Sequence, residues 1–243
     1  MSAPTKAFIL AAGLGTRLRP ATDHIPKPMA EVAGQSLITR TLDKLLEASV
    51  RDVTVNLHYL ADVLKKHLEE YRAGKDLILH YSYEEELLDT GGGIRKVLPH
   101  FDDEPFYVIA GDALWQDAPG ENALRRLAQH WDDKTMDVLT LLQPLETMRF
   151  TRGIGDYDLD EKACPLRRAD KSGAYMWTNI RLNHPRIFKD QPEGVFSFLP
   201  LMDAAQETGR LQAMVHKGDW YHISTPEDLK HVNAAFKRRK EGA

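Results

Sequence analysis

The strongest constraint on the fold is the apolar run Phe8-Ile9-Leu10-Ala11-Ala12, which stops at Gly13-Leu14-Gly15. Continuous apolar character suits a parallel strand covered on both faces better than a half-exposed antiparallel one. Glycines at its end let backbone approach a ligand closely and aim N–H groups at an anion. The turn then delivers Arg17 and Arg19, followed by Lys27 between Pro26 and Pro28, and cations so placed suit a polyphosphate. An ordinary tight turn is the alternative. Two better-known phosphate motifs are excluded. No Gly-Lys-Ser or Gly-Lys-Thr occurs, and the dinucleotide pattern begun at Gly13 and Gly15 meets Leu18 where its third glycine belongs.

Periodicity orders the rest of the chain. Ile38, Leu42, Leu45 and Leu46 predict an amphipathic helix over 36–49, started by Ser36. A strand over 53–57, a helix over 60–71 stopped near Gly74, and a strand over 77–81 follow. Gly91-Gly92-Gly93 opens a helix through Leu98, and 106–110 is a buried strand carrying Gly111-Asp112 at its carboxyl end. A helix over 121–131 and a strand over 138–142 come next, and 149–172 has Gly- and Asp-rich hairpin chemistry. Strands over 175–182, 211–216 and 220–223 alternate with a helix over 197–207; Thr225 and Pro226 start a closing helix as N-cap and first residue. The alternation predicts an α/β fold: a Rossmann-like, mostly parallel sheet flanked by helices, with a small β excursion over one side of the site. Ligands then belong outside the carboxyl ends of the strands. No linker or repeat divides the chain, so 1–243 reads as a single domain.

Composition narrows the partners. Thirty-two basic and 36 acidic residues, well mixed, give a net charge of −4, which argues against a nucleic-acid or membrane surface as the main partner. The single cysteine, Cys164, excludes an intrachain disulfide and a Cys-rich zinc site and suits a reducing cytoplasm. It precedes Pro165 in a polar stretch and is not read as a nucleophile. Residues 1–6 lack the apolar core of a signal peptide, and no apolar run is long enough to span a membrane. A cytoplasmic protein is expected. His58 and His67 read as surface residues, and Lys237-Arg238-Arg239-Lys240 as a solvated tail that favours a helix C-terminus.

Two further stretches carry chemistry. Asp112, at a strand end in the expected crevice, is placed to hold Mg²⁺, a hard cation that prefers oxygen ligands and nucleotide phosphates; a turn or capping aspartate is the alternative. Asp117 nearby reads as a loop residue. In Tyr83-Glu84-Glu85-Glu86-Leu87-Leu88-Asp89-Thr90-Gly91-Gly92-Gly93, Glu84 or Glu86 offers an acceptor for a base N–H, while a solvated charged turn is the plainer reading of Glu85.

Taken together, the glycine turn, Arg17, Arg19 and Pro26-Lys27-Pro28 resemble the signature of the sugar-1-phosphate nucleotidyltransferases (NDP-sugar pyrophosphorylases). The resemblance implies a nucleotide held by Ala11, Ala12, Gly13, Leu14, Gly15 and Thr16, with Glu84, Thr90 and Gly91 in the base-binding loop. It makes Arg17, Lys27 and Asp112 the catalytic residues, Asp112 being the metal ligand. Leu88 to Ile94 is most similar to the N-acetylmuramate-1-phosphate uridylyltransferases of bacterial cell-wall recycling. Residues 6–142 then form the nucleotide-binding part, 143–225 the sugar-binding part and 226–243 the closing helix. Gly155-Asp156 and Thr178-Asn179 resemble the family's sugar contacts, with Asn179 where a glycine is usual. Arg167, Arg168 and Lys171 are candidates for its second lysine, which has no clean counterpart.

The motif around Trp220 departs from the family. His222 occupies the position of its second metal-binding aspartate, and Ser224 that of a glycine. His222 therefore has three readings: metal ligand, hydrogen-bonding substitute on a phosphate, or structural residue in a disabled site. Mg²⁺ is the cofactor that the resemblance implies; an imidazole favours softer ions such as Mn²⁺ or Zn²⁺ over Mg²⁺, so His222 makes Mn²⁺ the alternative. The expected partners are a nucleoside triphosphate, UTP foremost, and a sugar-1-phosphate such as N-acetylmuramate 1-phosphate, bound to a monomer or small homo-oligomer. The alternatives are a mannose-1-phosphate guanylyltransferase or another sugar pyrophosphorylase, a nucleotide-sugar-binding protein with a disabled metal site, and, more distantly, a dinucleotide-binding dehydrogenase.

Overall fold

A computed structural model describes residues 3–240, except for the side chains of residues 239 and 240. The strands, in chain order, are β1 (Lys6–Leu10), β2 (Glu31–Val32), β3 (Gln35–Ser36), β4 (Asp52–Leu57), β5 (Ile78–Tyr83), β6 (Phe106–Ala110) and β7 (Trp115–Gln116). They continue with β8 (Val138–Pro144), β9 (Tyr157–Leu159), β10 (Pro165–Arg167), β11 (Tyr175–Asn183), β12 (Leu211–Val215) and β13 (Asp219–Trp220). The helices are α1 (Leu37–Glu47), α2 (Ala61–Arg72), α3 (Asp89–Val97), α4 (Ala123–His130), α5 (Leu199–Glu207) and α6 (Pro226–Lys240).

The central sheet runs β5-β4-β1-β6-β11-β8-β12, with the β9–β10 hairpin attached beside the start of β11. β5, β4, β1 and β6 are parallel, β11 is antiparallel to both of its main neighbours, and β8 and β12 are again parallel to each other. The expected mostly parallel sheet is present, with β11 reversing the direction. That reversal serves the site: the last four residues of β11 pair with β6, and Ile180 opposite Ile109 leaves Asn179 next to the carboxyl end of β6.

The opening run is apolar throughout because both faces of β1 are buried. Ala7 and Ile9 join the core that contains Ile38, Leu42 and Leu45 of α1, while Phe8 joins Ile94, Val97 and Met202 on the other side. A third cluster is built from segments that follow β1 and β6 and from α6. It packs Leu18 of the glycine turn against Tyr221, Ile223 and, from α6, Val232 and Phe236. This cluster brings the C-terminal motif to the N-terminal turn.

Local signals explain several boundaries. Ser36 caps α1, its Oγ accepting the Thr39 N–H at 3.3 Å, and Thr225 caps α6, accepting from the Asp228 N–H at 3.2 Å. The helix expected from Leu60 begins at Ala61, because Leu60 is left-handed at φ 50°. The glycines expected to open a helix lie inside α3, which starts at Asp89. The strand expected over 220–223 shrinks to the β13 pair on β7, Asp219–Trp220; Tyr221 and Ile223 still share a side, in the third cluster, but lie outside any strand. Residues 241–243 of the anticipated closing segment lie outside the described residues, and no described helix is long and apolar enough to cross a membrane.

Candidate active site

β1 and β6 end side by side, and their two glycine turns meet there. Gly15 is left-handed at φ 62°, and a Cβ on it would lie 2.9 Å from Lys27 Cβ, so both backbone and space demand glycine. Its carbonyl accepts from Leu18 N–H at 3.0 Å and from the buried Thr22 hydroxyl at 2.9 Å. Leu18 is a buried anchor for the turn, which accounts for its standing where a dinucleotide motif has glycine. The Gly13, Leu14 and Gly15 amides make no intramolecular hydrogen bond among the described residues, leaving a ring of donors for an anion. A Cβ on Gly111 would meet the Leu10 carbonyl at 3.0 Å and Pro28 Cγ at 3.2 Å. Pro28 therefore packs onto the end of β6, and Lys27 forms an ion pair with Asp112.

Ala12, Gly13, Asp112 and Asn179 share a cleft of about 510 Å³ with Asn56, Glu84, Leu87, Thr90 and Val195. Beside it lies a smaller recess of about 120 Å³ between Gly13, Gly15, Lys27 and Asp112. A polar pocket of about 270 Å³ elsewhere, lined by Arg40, Asp43 and Lys44, holds none of the anticipated residues.

One buried relay joins the walls of the cleft. Asn56 accepts the Ala11 N–H at 2.6 Å and donates to Glu84 at 2.8 Å, and the second Glu84 oxygen takes the Leu88 N–H at 3.0 Å. Ala11 and Glu84, both anticipated as ligand contacts, thus hold one another through Asn56, while His58 Nδ1 lies 2.9 Å from the Glu84 carbonyl. Sequence reasoning passed over Asn56. Its signal was an amide near the carboxyl end of a strand, at a position that is buried with its apolar neighbours Val55 and Leu57.

The triple glycine has a different role from the one anticipated. The Gly91 and Gly92 amides donate to the Phe196 carbonyl at 2.9 and 3.0 Å, and Thr90 Oγ1 accepts the Phe198 N–H at 2.9 Å. A Cβ on Gly91 would lie 2.4 Å from the Phe196 ring, one on Gly92 2.0 Å from the Gly194 carbonyl, and one on Gly93 2.8 Å from Glu84. These glycines admit a strap, residues 194–198, that closes over the start of α3 and adds Val195 to the cleft.

On the sugar side the structure separates the four candidates. Asp156 accepts from Lys171 Nζ at 2.7 Å and from Trp177 N–H at 2.9 Å, and Gly155 packs on Gly173. Thr178 donates to the Leu141 carbonyl at 2.7 Å. All three brace β11 and its neighbours, and Asn179 alone of the four lines the cleft. Asn179 is left-handed at φ 57°, a conformation that asparagine tolerates and that accounts for its replacing glycine. Arg167, Arg168 and Lys171 are paired with Asp203, Asp158 and Asp156.

The two arginines of the opening turn differ. Arg19 pairs with Asp23 at 3.5 Å, whereas Arg17 is exposed and has no carboxylate partner among the described residues. His222 faces the same corner. Its Nε2 lies 3.0 Å from Ser224 Oγ, and its N–H donates to Thr151 Oγ1 at 2.8 Å. Burial, then Lys27 and Arg17, push its pKa down against the opposing pull of Asp112, so the ring is neutral at pH 7. No group of three or more His, Cys, Asp or Glu suited to a metal occurs among the described residues. One carboxylate beside a phosphate-binding turn nonetheless fits an ion such as Mg²⁺, which keeps several waters and takes phosphate oxygens.

The nucleotidyl transferase family model matches residues 6–149. The chain belongs to that family. It is 36% identical over 230 residues, 93% of its length and 94% of the relative's, to the N-acetylmuramate alpha-1-phosphate uridylyltransferase of Caulobacter vibrioides. The mannose-1-phosphate guanyltransferase of Gibberella zeae is 34% identical over 142 residues, covering 57% of this chain and 38% of that one. A UDP-glucose pyrophosphorylase solved with UDP-glucose superposes over 97% of this chain and 99% of its own, with a TM-score of 0.77 at 18% identity, and so supports the fold. The protein is a sugar-1-phosphate nucleotidyltransferase. Within this nucleotidyltransferase Glu84, Thr90 and Asn179 line the cleft, Gly15 and Lys27 the recess beside it, and Gly13 and Asp112 both, while Gly155, Asp156 and Thr178 line neither.

Proposed function

We propose that the enzyme transfers a uridylyl group from UTP to N-acetylmuramate 1-phosphate, releasing pyrophosphate, as a step of cell-wall recycling in the cytoplasm. The observation that carries this reading is the 36% identity to the Caulobacter uridylyltransferase over nearly the whole of both chains, where mannose-1-phosphate guanyltransferases that match 92% of this chain do so at 26–28% identity and over 62% of their own length. The sugar phosphate is the nucleophile. Its second pKa lies near ~6, so it is largely dianionic at neutral pH and needs no general base. A phosphate oxygen attacks the α-phosphorus in line, the α–β bridging P–O bond breaks, and pyrophosphate carries away the electron pair.

Catalysis is then positioning and charge. The free amides of Gly13, Leu14 and Gly15, with Arg17, hold the β- and γ-phosphates. Lys27 leaves Asp112 to bridge the α-phosphate and the sugar phosphate. The base lies along the wall made by Ala12, Gly13 and Leu87, whose shape is kept by the Asn56–Glu84 relay. Asp112 and neutral His222 would hold a divalent ion, Mg²⁺ foremost, which supplies charge neutralisation on the triphosphate. Pyrophosphate release from four nucleoside triphosphates against several sugar 1-phosphates, under Mg²⁺ and Mn²⁺, tests the reading. The highest kcat/KM is expected for UTP with N-acetylmuramate 1-phosphate; a maximum at GTP with mannose 1-phosphate would overturn it.

A further inference from the structure

β11 carries a charge into an apolar layer. Arg181 has no solvent exposure, and its guanidinium carbon lies 4.2 Å from the centre of the Phe198 ring and 5.4 Å from that of Trp177. Among the described residues no carboxylate forms an ion pair with it, and its Nε and Nη2 have no hydrogen-bond partner. The remaining Nη1 donates to Asn179 Oδ1. An unpaired buried cation is costly, and a hydrocarbon side chain of similar length would fill the space without that cost. Burial lowers the guanidinium to about 9, which leaves it charged at neutral pH.

This arrangement settles which way Asn179 points. A guanidinium can only donate, so the amide oxygen of Asn179 is turned towards Arg181 and its NH₂ is turned the other way. Asn179 lines the cleft, where Asp112 and Ala110 also stand. That wall therefore offers a donor backed by a buried positive charge, a combination that favours an anionic acceptor. Lys27, in the recess beside the cleft, and the exposed Arg17 are the cations assigned above to the phosphates. The β11 wall is left for a different anion. N-acetylmuramate carries one, the carboxylate of its lactyl ether, which N-acetylglucosamine lacks.

We propose that Asn179 and Arg181 form a subsite that selects a sugar 1-phosphate bearing a carboxylate, Asn179 touching it and Arg181 acting as the positioning residue behind. The assignment of that carboxylate to N-acetylmuramate rests on the function proposed above. The test measures kcat and KM separately, at saturating UTP, for N-acetylmuramate 1-phosphate and N-acetylglucosamine 1-phosphate. Arg181→Met removes the charge at similar length, Arg181→Lys keeps a charge, and Asn179→Gly keeps the left-handed backbone, removes the amide from the cleft and leaves the Arg181 side chain itself unaltered.

Arg181→Met and Asn179→Gly should each raise KM for the carboxylated sugar at least tenfold more than for the neutral one. Arg181→Lys should recover part of the difference. Wild-type discrimination in both Arg181→Met and Asn179→Gly, or equal losses on both sugars, overturns the subsite while leaving N-acetylmuramate as substrate. An enzyme that ignores N-acetylmuramate but prefers glucuronate 1-phosphate to glucose 1-phosphate, through Arg181, keeps the subsite and refutes the proposed substrate.

Discussion

Gly92→Ala sets two effects of known size against each other. Within a helix, alanine is favoured over glycine by about 1 kcal/mol, so α3 considered alone predicts a more stable protein. The added Cβ, however, would lie 2.0 Å from the Gly194 carbonyl oxygen and 3.1 Å from Leu88 Cβ. The closer of these is backbone and cannot rotate away, so either α3 or the strap must move. Overpacking of this kind costs typically about 1–3 kcal/mol. If the strap leaves, it forfeits the bonds from Gly91 and Gly92 to Phe196, from Phe196 to Leu88 and from Phe198 to Thr90, each contributing about 0.5–1.5 kcal/mol. The clash therefore outweighs the helical gain. A net loss of about 1–2 kcal/mol is expected, and at about 2–4 °C per kcal/mol for a chain of this size the Tm should fall by several degrees. Thermal unfolding measures this directly, and hydrogen exchange at the amides of Gly91, Gly92, Phe196 and Phe198 locates it. Gly13→Ala is the control, since a Cβ there meets nothing within 4 Å, and its effect should stay within about 0.5 kcal/mol. A Tm equal to or above wild type in Gly92→Ala, with those amides still protected, would refute the reasoning.

Three other outcomes are expected. Arg17→Ala and Asp112→Ala should each lower turnover about 100- to 1000-fold with the fold retained; near-wild-type pyrophosphate release in either removes that residue from the machinery. Asp117 is held at about 2: burial opposes this, and the His216 ring, Lys44 and the Ala123 amide override it. With the folded pKa below the unfolded one, its contribution is present above about pH 4 and is lost as the pH falls towards 2, so Asp117→Asn should cost roughly 2 kcal/mol at pH 7 and progressively less on acidification. Urea unfolding at pH 7 and pH 3 reads the difference, and a cost independent of pH contradicts it. Lys27→Met should bind Mn²⁺ several-fold more tightly than wild type without nucleotide, because Asp112 loses its paired cation; paramagnetic titration giving equal or weaker binding rejects that.

The parts of the site legible in the sequence are those fixed by local backbone. A buried strand ending in a glycine turn has few ways to fold, so β1, β6 and the turns after them could be located from residue type and period alone. Asp112 was legible for the same reason, standing just past an unmistakable strand. What the sequence concealed are partners far along the chain. Gly91-Gly92-Gly93 reads as a ligand loop because nothing near it reveals that residues 194–198 will close on it. Asp156 reads as a sugar contact, yet its oxygens hold Lys171 and Trp177. Arg181 passed unremarked inside an alternating strand, since alternation says which face a residue takes but not that the face is buried. His222 is the intermediate case: its motif was visible, and only the cluster joining Leu18 to Tyr221 and Ile223 places it beside Arg17 and Lys27.

Lys27 and Asp112 cannot serve the substrates while they hold each other. In the free enzyme the ammonium neutralises the carboxylate proposed for the divalent ion, and Arg17 adds positive charge to the same corner. Asp112 is thus a poor ligand for a metal arriving alone. A triphosphate changes the balance, because its oxygens offer Lys27 and Arg17 stronger partners than one carboxylate does. If Lys27 swings to the α-phosphate as proposed, Asp112 would be released and the lysine would stand where the sugar phosphate approaches. The exchange of one ion pair would therefore make nucleotide binding prepare both the metal position and the acceptor position, favouring nucleotide before sugar. The antiparallel β11 would complete the geometry, because it sets Asn179 in the cleft that Asp112 shares with the recess of that lysine, so the proposed acceptor would be held at its phosphate from the recess and at its distal anion from β11.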